Sequence, residues 1–206
     1  MPRLRQFRTD AATWLSARGS DQWSTPYPDE LLLASIQNGD VYLVHRDLAT
    51  DPVATVTLDR QADPALWTEA EAREPAFYVH KLTLAAPGRG SGLGAELLDW
   101  CSDHAARAGA TWLRLDAWTS NTRLQSHYER LGFRHVRTVD SPEAYGSGWV
   151  GQRPARAAQT ALTSADNWLT QEATSRPLVT RKEQDGRPGH EDRRQRGHIP
   201  FRQMPG

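Results

Sequence analysis

Lysine is nearly missing from this chain: Lys81 and Lys182 stand against 23 arginines. That bias reflects a GC-rich genome more than a function. Cysteine is rarer still. Cys101 alone excludes an intrachain disulfide and fits a reducing compartment. Its plainest role is that of a packed helix residue. No apolar run approaches the ~18 residues needed to span a membrane. The first ten residues carry three arginines and no apolar core, so they do not read as a secretory signal. An excess of charge of either sign is absent too, with 25 Lys+Arg against 25 Asp+Glu. With it goes any call for a nucleic-acid or membrane partner. The seven histidines show no ligand spacing with carboxylates or with Cys101, so no metal is expected. Together these absences predict a soluble, cytoplasmic protein.

What remains is 206 residues, enough for one domain with a sizeable core and a tail. Residues 1–155 hold 16 Lys+Arg against 19 Asp+Glu, and residues 156–206 hold 9 against 6. A mildly acidic domain suits a cationic amine ligand, although three charges decide little. Residues 4–8 alternate apolar and polar and predict a short strand. Thr9 or Asp10 then caps a helix to about Arg18, ended by Gly19. Pro28, Asp29 and Glu30 open a second helix through Gln37, closed by Gly39. Residues 41–46 and 53–60 predict strands joined by a turn at 50–52. A polar, Ala/Glu-rich connection over 61–75 carries Trp67. Residues 77–84 are apolar on both faces, as in a central strand. A helix to about Ala108, a strand over 111–118 and a helix over 123–131 follow. Strands over 133–140 and 148–152 complete the set. The order β α α β β β α β α β β is mixed α/β. No internal repeat is visible. From about Ala155 the pattern dissolves, and residues 179–206 are rich in Arg, Gly, Pro, Gln and Asp. Such a composition cannot bury enough surface to offset its ordering entropy. Residues 156–206 are therefore expected to be a disordered tail, with a short helix allowed over 157–169.

Two motifs carry the chemistry. Residues 89–94 read Arg-Gly-Ser-Gly-Leu-Gly between the strand over 77–84 and the next helix. Closely spaced glycines let the backbone curl so that several N–H groups point at one spot. The helix start adds unpaired N–H groups and partial positive charge. The product is a phosphate site. About one βα unit later come Asn121, Tyr128 and Gly132-Phe133. Gly90 to Ala95 also fit Gly-x-Gly-x-x-Ala, with Asp116 at the end of the next strand, as in a dinucleotide-binding fingerprint. Against that, five residues separate strand from glycines, and about half the domain precedes the motif. Too little chain follows to build the remaining βα units. The two motifs together resemble the GNAT superfamily of acyl-CoA-dependent N-acetyltransferases. The first matches Arg/Gln-x-x-Gly-x-Gly/Ala through Arg89, Gly92 and Gly94. The second matches an Asn after a strand, a Tyr on the helix and a Gly-Phe leading into the next strand. The likeness extends loosely over residues 1–155.

The resemblance implies a central, mostly antiparallel sheet in which the strands over 77–84 and 111–118 splay apart, with flanking helices. It implies acetyl-CoA as co-substrate. Its pyrophosphate would lie on the backbone of Arg89, Gly90, Ser91, Gly92, Leu93, Gly94 and Ala95, and its pantetheine arm along Leu82, Thr83 and Leu84. A backbone N–H near Leu82 would hydrogen-bond the thioester oxygen, a term worth ~3 kcal/mol. Asn121 is either a helix cap or a partner of the pantetheine arm. Tyr128 would protonate the departing thiolate, or else is a core tyrosine. His80, two residues before Leu82 and so expected on the same face, suits a general base by its pKa of ~6.5. Family members often use a carboxylate or a water there, and Asp116 and Tyr78 are the alternatives. Trp23, Tyr27, Trp67, Tyr78 and Trp118 are candidates to line an acceptor pocket with Asp116, against ordinary packing. The expected reaction is direct acetyl transfer to a primary amine of a small molecule such as an amino acid, polyamine or antibiotic. A protein N-terminus or lysine as acceptor, or a non-catalytic acyl-CoA-binding module, stays open, as does a homodimer.

Overall fold

The computed structural model describes residues 2–24, 27–45, 51–140, 146–157 and 169–171. The chain divides into Met1–Thr174 and Ser175–Gly206. The second unit lies outside the described residues, and with it the expected disorder of residues 179–206.

The N-terminus corrects the first expectation. Residues 4–8 do not form a strand; they lie inside helix α1, Pro2–Ser16. The buried residues are Leu4, Phe7 and Ala11, spaced three and four apart, which is one helical face. Over five residues, strand alternation and the start of a helical stripe look alike; the third buried position, Ala11, separates them. Helix α2, Asp29–Gln37, begins after Pro28 with Asp29 and Glu30 in its first turn, as the start signals predict. Arg5 ties the two helices through both oxygens of Asp29.

Strands β1 (Val41–Val44), β2 (Ala54–Asp59), β3 (Ala76–Leu84), β4 (Trp112–Trp118), β5 (Arg134–Thr138) and β6 (Ser147–Pro154) are joined by a short β7 (Leu169–Gln171). The sheet order is β5-β6-β4-β3-β2-β1-β7. Among the described residues only the β3–β4 pair is parallel. That pair needs a crossover, supplied by α4, Leu93–Arg107. Helix α5, Thr122–Arg130, follows β4. The sequence did not place β7, which pairs antiparallel with β1. The short helix allowed over 157–169 falls almost wholly outside the described residues. A second unplaced element is α3, Glu69–Ala72. Its signal was present: Thr68 and Glu71 form a reciprocal capping box.

The two sheet faces differ. One packs Val56, Leu58, Phe77, Val79, Leu113, Leu115 and Trp149 against Leu97, Leu98 and Cys101 of α4. The other carries a polar network around Arg114, whose side chain is wholly buried. Its guanidinium donates to Gln152 Oε1 (3.0 Å), Glu71 O (2.6 Å), Tyr78 Oη (3.0 Å) and the Glu74 carboxylate. It also lies 4.7 Å over the Trp67 ring. A buried cation persists only when its donors are matched. Arg114→Met should therefore lower stability by about 3 kcal/mol, since Tyr78, Gln152 and the Glu71 carbonyl lose their donor. Thermal unfolding should show Tm lower by roughly 6–10 °C. A change under about 2 °C would mean that the network contributes nothing net.

Candidate active site

β3 and β4 pair from Ala76↔Trp112 to Val79↔Leu115 and no further. Beyond that fork each strand continues, to Leu84 and to Trp118, without its former neighbour. The cause is visible in β3. Opposite β2, Thr83 pairs with Thr55 and His80 with Thr57, so Lys81 and Leu82 together face Val56. This is a β-bulge, and Lys81 takes φ 52° to make it. The bulge also corrects the alternation argument for His80. His80 stacks under Tyr78 on the polar face (6.3 Å between centroids), whereas Leu82 packs with Phe77 and Val79 on the other. One extra residue at Lys81 reverses the parity.

The first residues past the fork are His80 and Asp116. His80 Nδ1 lies 3.8 Å from Asp116 Oδ1, and His80 Nε2 lies 3.5 Å from Asp59 Oδ1. Burial alone would push the imidazole down, but the two flanking carboxylates raise it to about 9. Asp116 would be raised by burial; instead His80, the Ser147 hydroxyl and the Lys81 charge hold it below its ordinary value. At neutral pH the pair is imidazolium and carboxylate. Tyr128 comes from α5 on the opposite face, beside Phe133 and Trp149. Burial, and then the charge of Asp116, push its phenol up. The phenol therefore stays protonated at working pH.

At the far end of the gap lies the glycine turn. Gly90 (φ 77°) and Gly92 (φ 86°) are left-handed. A Cβ at Gly90 would meet nothing, and one at Gly92 only Glu96 Oε1 at 4.0 Å, so φ and not space requires glycine there. Of the seven residues expected on the pyrophosphate, three spend their N–H groups locally. Arg89 donates to Ala86 O, Leu93 to Ser91 Oγ and Ala95 to Gly92 O. The N–H groups of Gly90, Ser91, Gly92 and Gly94 make no hydrogen bond among the described residues. Four free donors at a helix start fit a diphosphate. Arg89 is not a solvated loop residue: its Nε donates to Leu84 O (3.2 Å), and its guanidinium lies 4.8 Å over Trp14.

The loop between α1 and α2 borders the fork. Trp118 Nε1 donates to Asp21 Oδ1 (2.8 Å), and Asn121 Nδ2 to Gln22 Oε1 (2.8 Å). Asn121 also caps α5, accepting from Leu124 N at 3.1 Å. Trp23 (φ 64°), Tyr27 and Lys81 sit together there, with Lys81 Nζ 4.4 Å over the Tyr27 ring. Tyr78 and Trp67 are corrections. Both are buried, edge-to-face at 5.7 Å, and bound up with Arg114. Tyr78 stacks against His80, and neither ring offers an acceptor a surface. Sequence reasoning missed Asp59, Ser147 and Lys81. Asp59 and Ser147 carry no local motif, and Lys81 shows its role only through the bulge.

A sheet forked beside a titratable pair, with a phosphate-type turn at the other end of the fork, defines an acyl-CoA-dependent acyltransferase. The sequence model of the Acetyltransferase (GNAT) family matches residues 8–133. The chain belongs to that family and is an N-acetyltransferase; the family's acyl donor is acetyl-CoA. It is similar to the Uncharacterized N-acetyltransferase YesJ of Bacillus subtilis (strain 168), 31% identical over 132 residues, covering 61% of this chain and 71% of that one. Its fold is similar to a GNAT acetyltransferase from Listeria monocytogenes 4b F2365 (TM-score 0.61, 22% identity, 73% and 86% of the two chains). A GNAT acetyltransferase from Streptococcus agalactiae 2603 is also similar (TM-score 0.57, 18% identity, 74% and 88%).

Proposed function

We propose that residues 1–155 form a domain that transfers acetyl from acetyl-CoA to the primary amine of a small molecule, by direct attack. One observation carries this reading: the gap beyond Val79 and Leu115 has free N–H donors at one end and His80, Asp116 and Tyr128 at the fork. Acetyl-CoA supplies the activated thioester. Gly90, Ser91, Gly92 and Gly94 hold its phosphates, and the unpaired edge of β3 offers Leu82, Thr83 and Leu84 to its arm. Arg89 releases Leu84 O when that carbonyl takes a ligand.

Asp116 attracts the incoming ammonium. A second cation beside Asp116 disfavours the imidazolium, so His80 enters the reaction neutral, with Nε2–H toward Asp59 and Nδ1 bare toward the amine; on taking the amine proton at Nδ1 it gives up Nε2–H on the Asp59 side. Asp59 lines an open cleft of about 550 Å³ with Asp40 and Arg60, which gives that proton an exit to solvent. Tyr128, on the other face, donates to the leaving sulfur. The tied loop at Asp21 and Gln22 supports a small acceptor over a protein segment. Incubation with acetyl-CoA and a panel of amines, reading thiol release and product mass, tests this; no release with any small amine would overturn it.

Tyr128→Phe keeps the ring beside Phe133 and Trp149 and removes one hydroxyl. The loss then falls in the transition state, with kcat down by ~10²-fold and acetyl-CoA affinity little changed. Full kcat in a chemically limited step would make Tyr128 structural.

A further inference from the structure

Among the described tryptophans only Trp14, near the end of α1, is exposed, at 38%. Two guanidiniums lie against its ring. Arg18, just past the helix, is 4.0 Å from the ring centroid, and Arg89, from the glycine turn, is 4.8 Å away. A guanidinium carries five N–H donors in a flat fork. Arg18 spends one on Trp14 O (3.1 Å), and Arg89 spends one on Leu84 O (3.2 Å). Neither makes an ion pair or any further hydrogen bond among the described residues. Stacking on one indole fixes both forks and brings two positive charges close together. An anion reached by both relieves that repulsion.

The N–H groups of the turn suit a diphosphate, but CoA carries a third phosphate. It is a monoester on the 3′-oxygen of the ribose, with a charge of about −1.5 to −2 at neutral pH. On the α4 side of the turn stands Glu96, its Oε1 4.0 Å from where a Cβ on Gly92 would lie. That carboxylate repels a dianion. On the Trp14 side stand Arg18 and Arg89. We infer that Arg18 and Arg89 bind the 3′-phosphate of acetyl-CoA, so that the end of α1 belongs to the donor site and the chain selects CoA over its dephospho form. This rests on the donor site proposed above and extends it beyond the glycine turn. Arg89 directly precedes Gly90, so its backbone lies at the diphosphate while its side chain reaches the second phosphate position. Trp14 is a positioning residue: it touches no phosphate and sets the two forks.

The test is calorimetric binding of CoA and of 3′-dephospho-CoA to the full chain. Wild type should bind CoA roughly 10-fold or more tightly, about the worth of one charge-assisted hydrogen bond. Arg18→Met should bring that ratio close to one by weakening CoA alone. Its unchanged affinity for dephospho-CoA then reports an intact turn and fold. Arg18→Lys should keep part of the ratio. Trp14→Ala should lower it, and Trp14→Phe should keep most of it. Equal affinity for the two ligands in wild type would overturn the inference and leave the acyl-CoA site standing. Arg18→Met weakening both ligands alike would also overturn it, because Arg18 would then serve only to cap α1. Failure of wild type to bind either ligand would strike the acyl-CoA reading and this inference with it.

Discussion

Gly92→Asp is expected to abolish acetyl-CoA binding in a protein that still folds. Aspartate tolerates left-handed backbone better than most residues, at a cost of about 1 kcal/mol. Its Cβ meets nothing closer than Glu96 Oε1 at 4.0 Å. Its carboxylate, however, would stand among the four free N–H groups of the turn and take the place of a phosphate. Losing two charge-assisted hydrogen bonds, at about 1.5–3 kcal/mol each, is enough to weaken binding roughly 10²-fold or more. Gly92→Ala, with at least as much backbone strain and no charge, should lose far less. Calorimetry measures the affinity, and thermal unfolding confirms the fold. Equal affinity in wild type and Gly92→Asp would remove the turn from the binding site.

The second large effect belongs to His80. His80→Ala should lower kcat/KM by roughly 10²-fold or more. The pH profile separates base from scaffold. His80 sits at about 9, so the wild-type rate should climb from pH 7 toward 9 as the imidazole loses its proton. A weakly basic acceptor amine keeps the substrate's own ionisation out of that range. His80→Ala should lack the climb; an identical profile would move the role to Asp116 acting through water. Stability runs the other way. The folded pKa is raised above ~6.5 for a free histidine, so its contribution is complete below about pH 6.5. It is lost as pH rises through 9. Activity should therefore rise over the same interval in which the fold loses that support.

The fold was legible where a pattern is local. Gly39, Gly109 and Gly132, all at positive φ, close helices where the sequence placed their ends. The strand over 77–84 proved central, between β2 and β4. The glycine turn sits where its motif predicts, although only contacts show that Arg89, Leu93 and Ala95 spend their own N–H groups. What failed was long-range or sub-turn. Residues 4–8 needed Ala11 to reveal their period. The parity of His80 against Leu82 depended on a single inserted residue, which no residue type announces, because Lys81 is not a glycine. Tyr78 was a pocket candidate by composition and a buried Arg114 ligand in fact, a distinction set by a charge 36 positions away. Asp59 joined the site only through the pairing of β2 with β3.

The bonds from Trp118 to Asp21 and from Asn121 to Gln22 make the α1–α2 loop a hoop and not a lid. A lid sets who may enter by when it opens; a hoop sets it by girth. Stretching it means breaking these two and the bond from Ser120 Oγ to Asp21 Oδ1 (3.3 Å), three side-chain bonds at about 1 kcal/mol each in net terms. Asn121 is also the cap of α5, so the strain would reach the helix that carries Tyr128. Bulk at the acceptor amine is thereby felt at the sulfur side of the gap, while length pointing away from the hoop is not. Two amines of equal basicity would then be told apart by branching next to the nitrogen.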